Sequence, residues 1–317
     1  MERYAIGVDI GGTNTDIGIV TSTGECLSRS RISTQQFSII DDYVDALSNG
    51  IKVLVEQYQP CEVSGVGIGA PNAHFYTGTI DNAPNLPFKG KIFLKKMLEE
   101  RLIMPVVVTN DANAAAYGEL VFGGGRGMND FIMLTLGTGV GSGIVSGGKV
   151  VYGHDGFAGE LGHVITFPGG RLCTCGRQGC LEEYASARGI IKNLWELAAQ
   201  GNYSSPLLEM EKSAVDCISI SNAAEQGDSL AKAVVERTGF VLGLALANAV
   251  AVTSPEAIFL MGGPARLHGL LPEIRKSFEN HLLTSYKGKV EVRFSELDAN
   301  NAAIVGAAAM VLAEECK

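Results

Sequence analysis

Two short stretches constrain the fold of this chain more than any others. Each runs from an apolar strand into a turn of glycine and threonine, then back into a second strand. In the first, residues 4–10 lead into Gly11-Gly12-Thr13-Asn14, and residues 15–21 return. In the second, residues 131–136 lead into Gly137-Thr138-Gly139 and on to Gly143, and residues 144–146 return. A further glycine turn follows each pair and opens a third strand, over residues 26–33 and 150–151. The recurrence reads as an internal structural repeat, carried by a shared pattern and not by extended identity. Glycine after a strand lets the backbone approach a ligand closely. Successive amide N–H groups in such a turn make a nest for an anion. One such turn alone is equally an ordinary hairpin; two in successive repeats can grip one polyphosphate across a cleft. Neither is a Walker loop or a dinucleotide fingerprint.

Helical periodicity appears over residues 41–58, 91–102, 111–122, 186–200, 219–227, 228–252, 267–282 and 301–315, with Asp228 a candidate N-cap. Buried strands are expected at 63–69, 106–109, 257–261 and 290–294. Strands alternating with helices predict α/β layers. At about 150 residues per domain, 317 residues suggest two domains. No long polar linker separates them, so two joined lobes are expected. The composition, 46% hydrophobic and 19% charged, excludes disorder. The 40 glycines follow no Gly-x-y period, which excludes collagen. The net charge of −9 and the lack of a basic block argue against a nucleic-acid partner. No signal peptide is evident, and no uncharged apolar stretch reaches about 18 residues. A soluble, cytoplasmic protein is expected.

Four further patterns carry chemistry. Asp9 precedes the first turn; a carboxylate there repels phosphate unless a divalent cation lies between, so it is a candidate to hold magnesium through water. Asn110-Asp111 sits where a strand ends and a helix begins, the place where ligands gather in open α/β sheets. A helix N-cap is the alternative reading of Asp111. His163 with Cys173, Cys175 and Cys180 offers three thiolates and one imidazole, a tetrahedral structural zinc set; buried free thiols are the alternative. Gly262-Gly263 follows a strand and could admit a flat ring such as adenine, or be a plain strand-to-helix turn.

Taken together these residues resemble the ROK family of sugar kinases and sugar-responsive repressors. The resemblance rests on Asp9-x-Gly-Gly-Thr13, Asn110-Asp111, Leu136-Gly-Thr-Gly-x-Gly, Gly159-Glu160-x-Gly-His163 and Cys173-x-Cys-Gly-x-x-Gly-Cys180-x-Glu182, in that order along most of the chain. It implies an actin-like, ribonuclease-H-like α/β fold of two lobes with a cleft between them. It implies Asp111 as catalytic base and Asn85, Asn110, Glu160, His163 and Glu182 as sugar ligands. Thr13 and Thr138 would contact phosphate, among cofactor-binding residues Asp9, Gly11, Gly12, Asn14, Gly137, Gly139, Gly262 and Gly263. One departure is visible: glucokinase-like relatives often continue Pro84-Asn85-Leu86-Pro87 with Gly-Trp, where this chain has Phe88-Lys89.

The expected activity is ATP-dependent phosphorylation of the 6-hydroxyl of a hexose, glucose first. N-acetylmannosamine, N-acetylglucosamine or fructose are the alternative acceptors, and a non-catalytic sugar-responsive regulator is the rival from another class. Repressors of this family carry a helix-turn-helix ahead of the first hairpin, and here that hairpin begins at Asp9. ATP, Mg2+ and structural Zn2+ are the expected cofactors. A homodimer without nucleic-acid or membrane partners is expected. The small lobe is placed at residues 1–118 plus 301–317, the large lobe at 119–300.

Overall fold

The computed structural model describes residues 3–59 and 61–314, so Cys316 and the expected last residue of the closing helix lie outside the described residues. The chain opens with β1 (Arg3–Ile10), β2 (Asn14–Thr21), β3 (Cys26–Ser33), α1 (Ile40–Gln57) and β4 (Glu62–Gly69). Three short strands follow, β5 (Ala73–His74), β6 (Thr79–Asp81) and β7 (Lys91–Ile92). Then come α2 (Leu94–Leu102), β8 (Val106–Thr109) and α3 (Asp111–Val121). The second half begins with β9 (Phe131–Leu136), β10 (Val140–Ser146) and β11 (Lys149–Val150). The helices α4 (Glu182–Ala185), α5 (Ala187–Gln200), α6 (Cys217–Glu225) and α7 (Ser229–Thr253) follow. β12 (Ala257–Met261), α8 (Leu270–His281), β13 (Glu291–Phe294) and α9 (Ala302–Glu314) close the chain.

Two five-stranded sheets share one internal order. The first runs β3-β2-β1-β4-β8 and the second β11-β10-β9-β12-β13. In each, the first strand of the repeat lies centrally, with its hairpin on one side and two parallel strands on the other. The repeat read from the glycine turns is therefore a repeat of topology. The expected helix over 91–102 starts later than its pattern: Lys91–Ile92 pairs with β6, and the helix begins at Leu94.

Chain contacts divide the molecule into two compact units. Unit 1 comprises residues 1–128, 143–158 and 295–317; unit 2 comprises 129–142 and 159–294. In unit 1, Tyr43, Leu47 and Ile51 of α1 pack on Ile6, Val8 and Ile17 of the sheet. α9 covers the same sheet unusually closely. Gly18, Gly7 and Gly67 form one row across β2, β1 and β4. An added Cβ at Gly7 would lie 1.9 Å from the Ile304 carbonyl oxygen, and at Gly67 1.8 Å from that of Ala307. Much of the glycine excess is thus a packing surface for a helix backbone.

In unit 2 the same device joins α7 to α8: a Cβ at Gly239 or Gly243 would strike Glu273, Ile274 and Phe278. Asp228 caps α7 by accepting from Ala231 N–H at 2.7 Å. α7 spans 25 residues and is apolar enough by composition to cross a membrane. Its most apolar window is 67% buried inside the protein, which makes it a core helix here.

The glycine row makes a sharp stability claim. Gly67→Ala forces two backbones apart and is expected to cost about 3 kcal/mol or more. Gly263→Ala meets open space and is expected to stay within about 0.5 kcal/mol of the parent. Urea unfolding of the two variants checks both.

Candidate active site

Within unit 1 the sheet register sets the positions of the acidic residues. Asp9 at the end of β1 pairs with Gly69 on β4, and Gly69 pairs with Thr109 on β8. Adjacent strands lie about 4.8 Å apart, so Asp9 and Asn110-Asp111 meet at one end of the sheet. Gly69 makes room for this, since a Cβ there would press on Ala114 and approach the Asp111 Cα at 3.5 Å. Asp9 also faces Asp16 across the hairpin, and Asp16 is held by Arg31 through two bonds of 2.7 and 3.0 Å.

These carboxylates disturb one another. Burial, then the charges of Asp111 and Asp16, raise the Asp9 pKa from 3.8 to about 6. Asp111 reaches solvent at its edge. Crowding by protein nevertheless strips water from its carboxyl and raises its pKa, while backbone N–H groups of Ala112 and Asp111 pull the other way. The capping alternative for Asp111 does not hold. Asn110 is the N-cap, its Oδ1 accepting from Asn113 N–H at 2.7 Å, and Asp111 is the first residue inside the helix. The Asn110 Oδ1 accepts that cap bond, and its amide N–H groups are free in geometry to donate to a ligand.

The first glycine turn is tight. Gly11 N–H donates to the Asn14 carbonyl, and the Thr13 carbonyl accepts from Thr34. Gly12 is required by its neighbour: a Cβ there would lie 2.7 Å from the Asn85 carbonyl oxygen. The loop bearing Asn85 therefore rests directly on this turn, with Asn85 and Thr13 exposed. Phe88, the departure noted in the sequence, turns into the core and packs on Tyr43 at 5.0 Å between ring centroids.

Unit 2 gathers a set of its own. Gly137, Thr138 and Gly139 join β9 to β10, closed by Gly137 N–H to the Gly139 carbonyl at 3.0 Å. An added Cβ at Gly137 meets nothing within 4 Å, as at Gly263, so packing does not demand glycine at either position. Gly139 differs: its Cβ would lie 2.9 Å from the Glu182 Oε2, so a side chain there would disturb Glu182 as well as the turn. Gly262, at φ +102°, rests against the Leu136 carbonyl at the end of β9. The Glu160–His163 segment is held on β10, where the Ser142 hydroxyl donates to the Gly159 carbonyl and accepts from Leu161 N–H. Gly162 lets that segment lie on the Val140 carbonyl.

The donor atoms of His163, Cys173, Cys175 and Cys180 all lie within 4.8 Å of one another. His163 turns its Nδ1 toward the Cys173 Sγ at 3.7 Å, which leaves Nε2 for another partner. Glu182, buried in α4, accepts from the Cys173 thiol at 3.3 Å. The chemistry of the set fits a tetrahedral zinc ion. A second anchor was not legible in the sequence. Arg171 donates to Glu196 at 2.7 Å, to Asn193 at 2.8 Å and to the carbonyls of Glu183 and Gly189, and its guanidinium stacks over Tyr184. It ties the cysteine loop to α4 and α5, but its partners lie too far along the chain for any local pattern to show.

Comparison with known proteins now decides the family. The ROK family matches residues 5–314. The chain belongs to the ROK family. It is 35% identical to a glucokinase of Halalkalibacterium halodurans, over 99% of this chain and 96% of that one. It is 38% identical to a glucokinase of Streptomyces coelicolor, over 96% of each. A crystal structure of a ROK family glucokinase from Streptomyces griseus, in complex with glucose and AMPPNP, superposes with a TM-score of 0.79. It is 36% identical and covers 97% of this chain and 98% of that one. The two like-ordered sheets are those of the actin-like, ribonuclease-H-like fold, and the chain is a sugar kinase, a phosphotransferase with an alcohol acceptor.

The raised Asp9 pKa fixes the sign of a stability effect. Folded Asp9 holds its proton more tightly than the unfolded chain does, so the fold weakens as pH rises from about 4 to about 6 and the loss then levels off. Asp9→Asn is expected to stabilise the protein by about 1–2 kcal/mol at pH near 7 and by almost nothing near pH 4. Denaturant unfolding at the two pH values checks it.

Proposed function

We propose that this ROK protein is a glucokinase that transfers the γ-phosphoryl group of ATP to the 6-hydroxyl of glucose. The observation that carries the reading is the pairing of Asp111 with Asn110 at the carboxyl end of β8, with the capping role already filled by Asn110. Asp111 is freed from that structural task and carries a raised pKa suited to accepting a proton. Phosphoryl transfer asks little covalent work of a protein and much positioning. Asp111 takes the proton of the sugar hydroxyl late, as its oxygen bonds to phosphorus.

Asn85, Asn110, Glu160, His163 and Glu182 hold the sugar hydroxyls. Asp9 holds magnesium through water, and the ion, when bound, offsets phosphate charge. Thr13 and Thr138, with the amides of Gly11, Gly12, Asn14, Gly137 and Gly139, take the phosphates, and Gly262 and Gly263 receive the adenine. Zinc on His163, Cys173, Cys175 and Cys180 stiffens the loop bearing Glu182, and the free Nε2 of His163 faces a hydroxyl. Glucose is favoured as acceptor by the names of the full-length relatives. The work is done in the cytoplasm by a homodimer.

Asp111→Asn keeps size and loses the proton acceptor. Its kcat under saturating glucose and MgATP is expected to fall about 10²–10⁴-fold, with sugar affinity weakened far less. A coupled ADP-release assay with sugar binding by calorimetry checks it; a rate within about threefold of the parent overturns the assignment.

A further inference from the structure

Arg188 lies beside the second glycine turn. It is the second residue of α5, a 14-residue helix capped by the Ser186 hydroxyl. Its Nε donates to the Thr138 carbonyl at 3.2 Å. One residue earlier, Ala187 N–H donates to the Gly137 carbonyl at 2.8 Å. The first turn of α5 therefore holds the second glycine turn by two bonds. Both partners lie in unit 2.

Arginine carries five N–H donors in a planar fork. Only Nε is engaged here, and the side chain is exposed. Among the described residues no carboxylate forms an ion pair with Arg188. Arg171 in the cysteine loop and Arg237 on α7 instead share Glu196 at 2.7 and 2.8 Å. An arginine pinned by Nε to a turn carbonyl, with its terminal amino groups unpaired, is prearranged for an anion. Its surroundings favour the same sign of ligand: the turn's amides, the positive end of α5, and two glycines, Gly137 and Gly263, that packing does not require. Gly262 rests on the Leu136 carbonyl, so the second glycine pair borders the same corner.

We propose that Arg188 is a phosphate-binding residue of the nucleotide site, its two terminal amino groups taking the β- and γ-phosphates of ATP while Nε keeps the Thr138 carbonyl. This rests on the reading of the chain as an ATP-using kinase. The fork matches phosphate oxygens in a way that a lysine ammonium does not. Charge collects on the bridging and β-phosphate oxygens as the γ-phosphoryl group leaves, so the contact strengthens along the reaction.

The test measures MgADP and AMP binding by calorimetry, alongside KM and kcat for MgATP and glucose, in the parent, Arg188→Met and Arg188→Lys. Charge-assisted bonds of this kind are worth about tenfold to a hundredfold in affinity. Arg188→Met is expected to weaken MgADP by that factor, to change AMP by less than about threefold, to raise the MgATP KM and to leave the glucose KM within about twofold. Arg188→Lys is expected to fall between Met and the parent. Unchanged MgADP affinity, or equal loss of MgADP and AMP, overturns the proposal, the latter because it means the arginine only shapes the turn. If the parent binds MgADP but leaves glucose unphosphorylated, the glucokinase reading falls, and the ratio of MgADP to AMP affinity still decides Arg188.

Discussion

The backbone of α9 rests on bare glycine, and unit 1 depends on that contact. The Ile304 and Ala307 carbonyls sit where side chains at Gly7 and Gly67 would be, and Gly306 meets the Ala114 carbonyl on α3. One helix thereby fixes β1, β4 and α3 together. Those elements carry Asp9, Gly69 and Asn110-Asp111. The geometry of the carboxylates is therefore a consequence of helix packing on the same face of their strands. Close approach of this kind tolerates almost no volume change, since protein interiors are packed like organic crystals.

Bringing two carboxylates to one sheet end carries an electrostatic cost, visible in the Asp9 pKa, which the Asp111 charge helps to raise. A fold selected for stability alone would not retain it. In the proposed reaction a divalent cation at Asp9 and a sugar hydroxyl at Asp111 would offset that cost. Unit 2 solves the opposite problem. Its cysteine loop is long and has little secondary structure, so it needs fastening from within. The Arg171 network with Glu196 and Asn193 does this, and the His163–Cys173–Cys175–Cys180 cluster lies against Glu182 through the Cys173 thiol.

Much of this was legible in the amino-acid order, for a physical reason. Strand periodicity, glycine turns and the Cys-x-Cys spacing are local, so β3, β8 and β9 lie at their expected residues, and the two hairpins foretold two sheets of one topology. Local pattern failed where a distant partner decided the outcome. Lys91–Ile92 reads as the first turn of a helix until β6 is there to pair with it. Gly12 reads as a ligand glycine, whereas it is also the seat of the Asn85 loop. Asp111 reads equally as a cap or a base until Asn110 is seen to hold the cap. Arg171, Ser142 and Arg188 gave no signal, because each acts on a backbone carbonyl well separated in sequence.

The central claim is that Asp9 and Asp111 share one sheet end closely enough to repel. Carboxyl-carbon NMR titration of Asp9, in the parent and in Asp111→Asn, tests it most directly. An Asp9 pKa of about 6 is expected in the parent. A clear fall is expected in the variant, stopping short of the ordinary value of 3.8 because burial, the larger cause, remains. An Asp9 pKa that is ordinary in the parent, or that does not move when the Asp111 charge is removed, would contradict it.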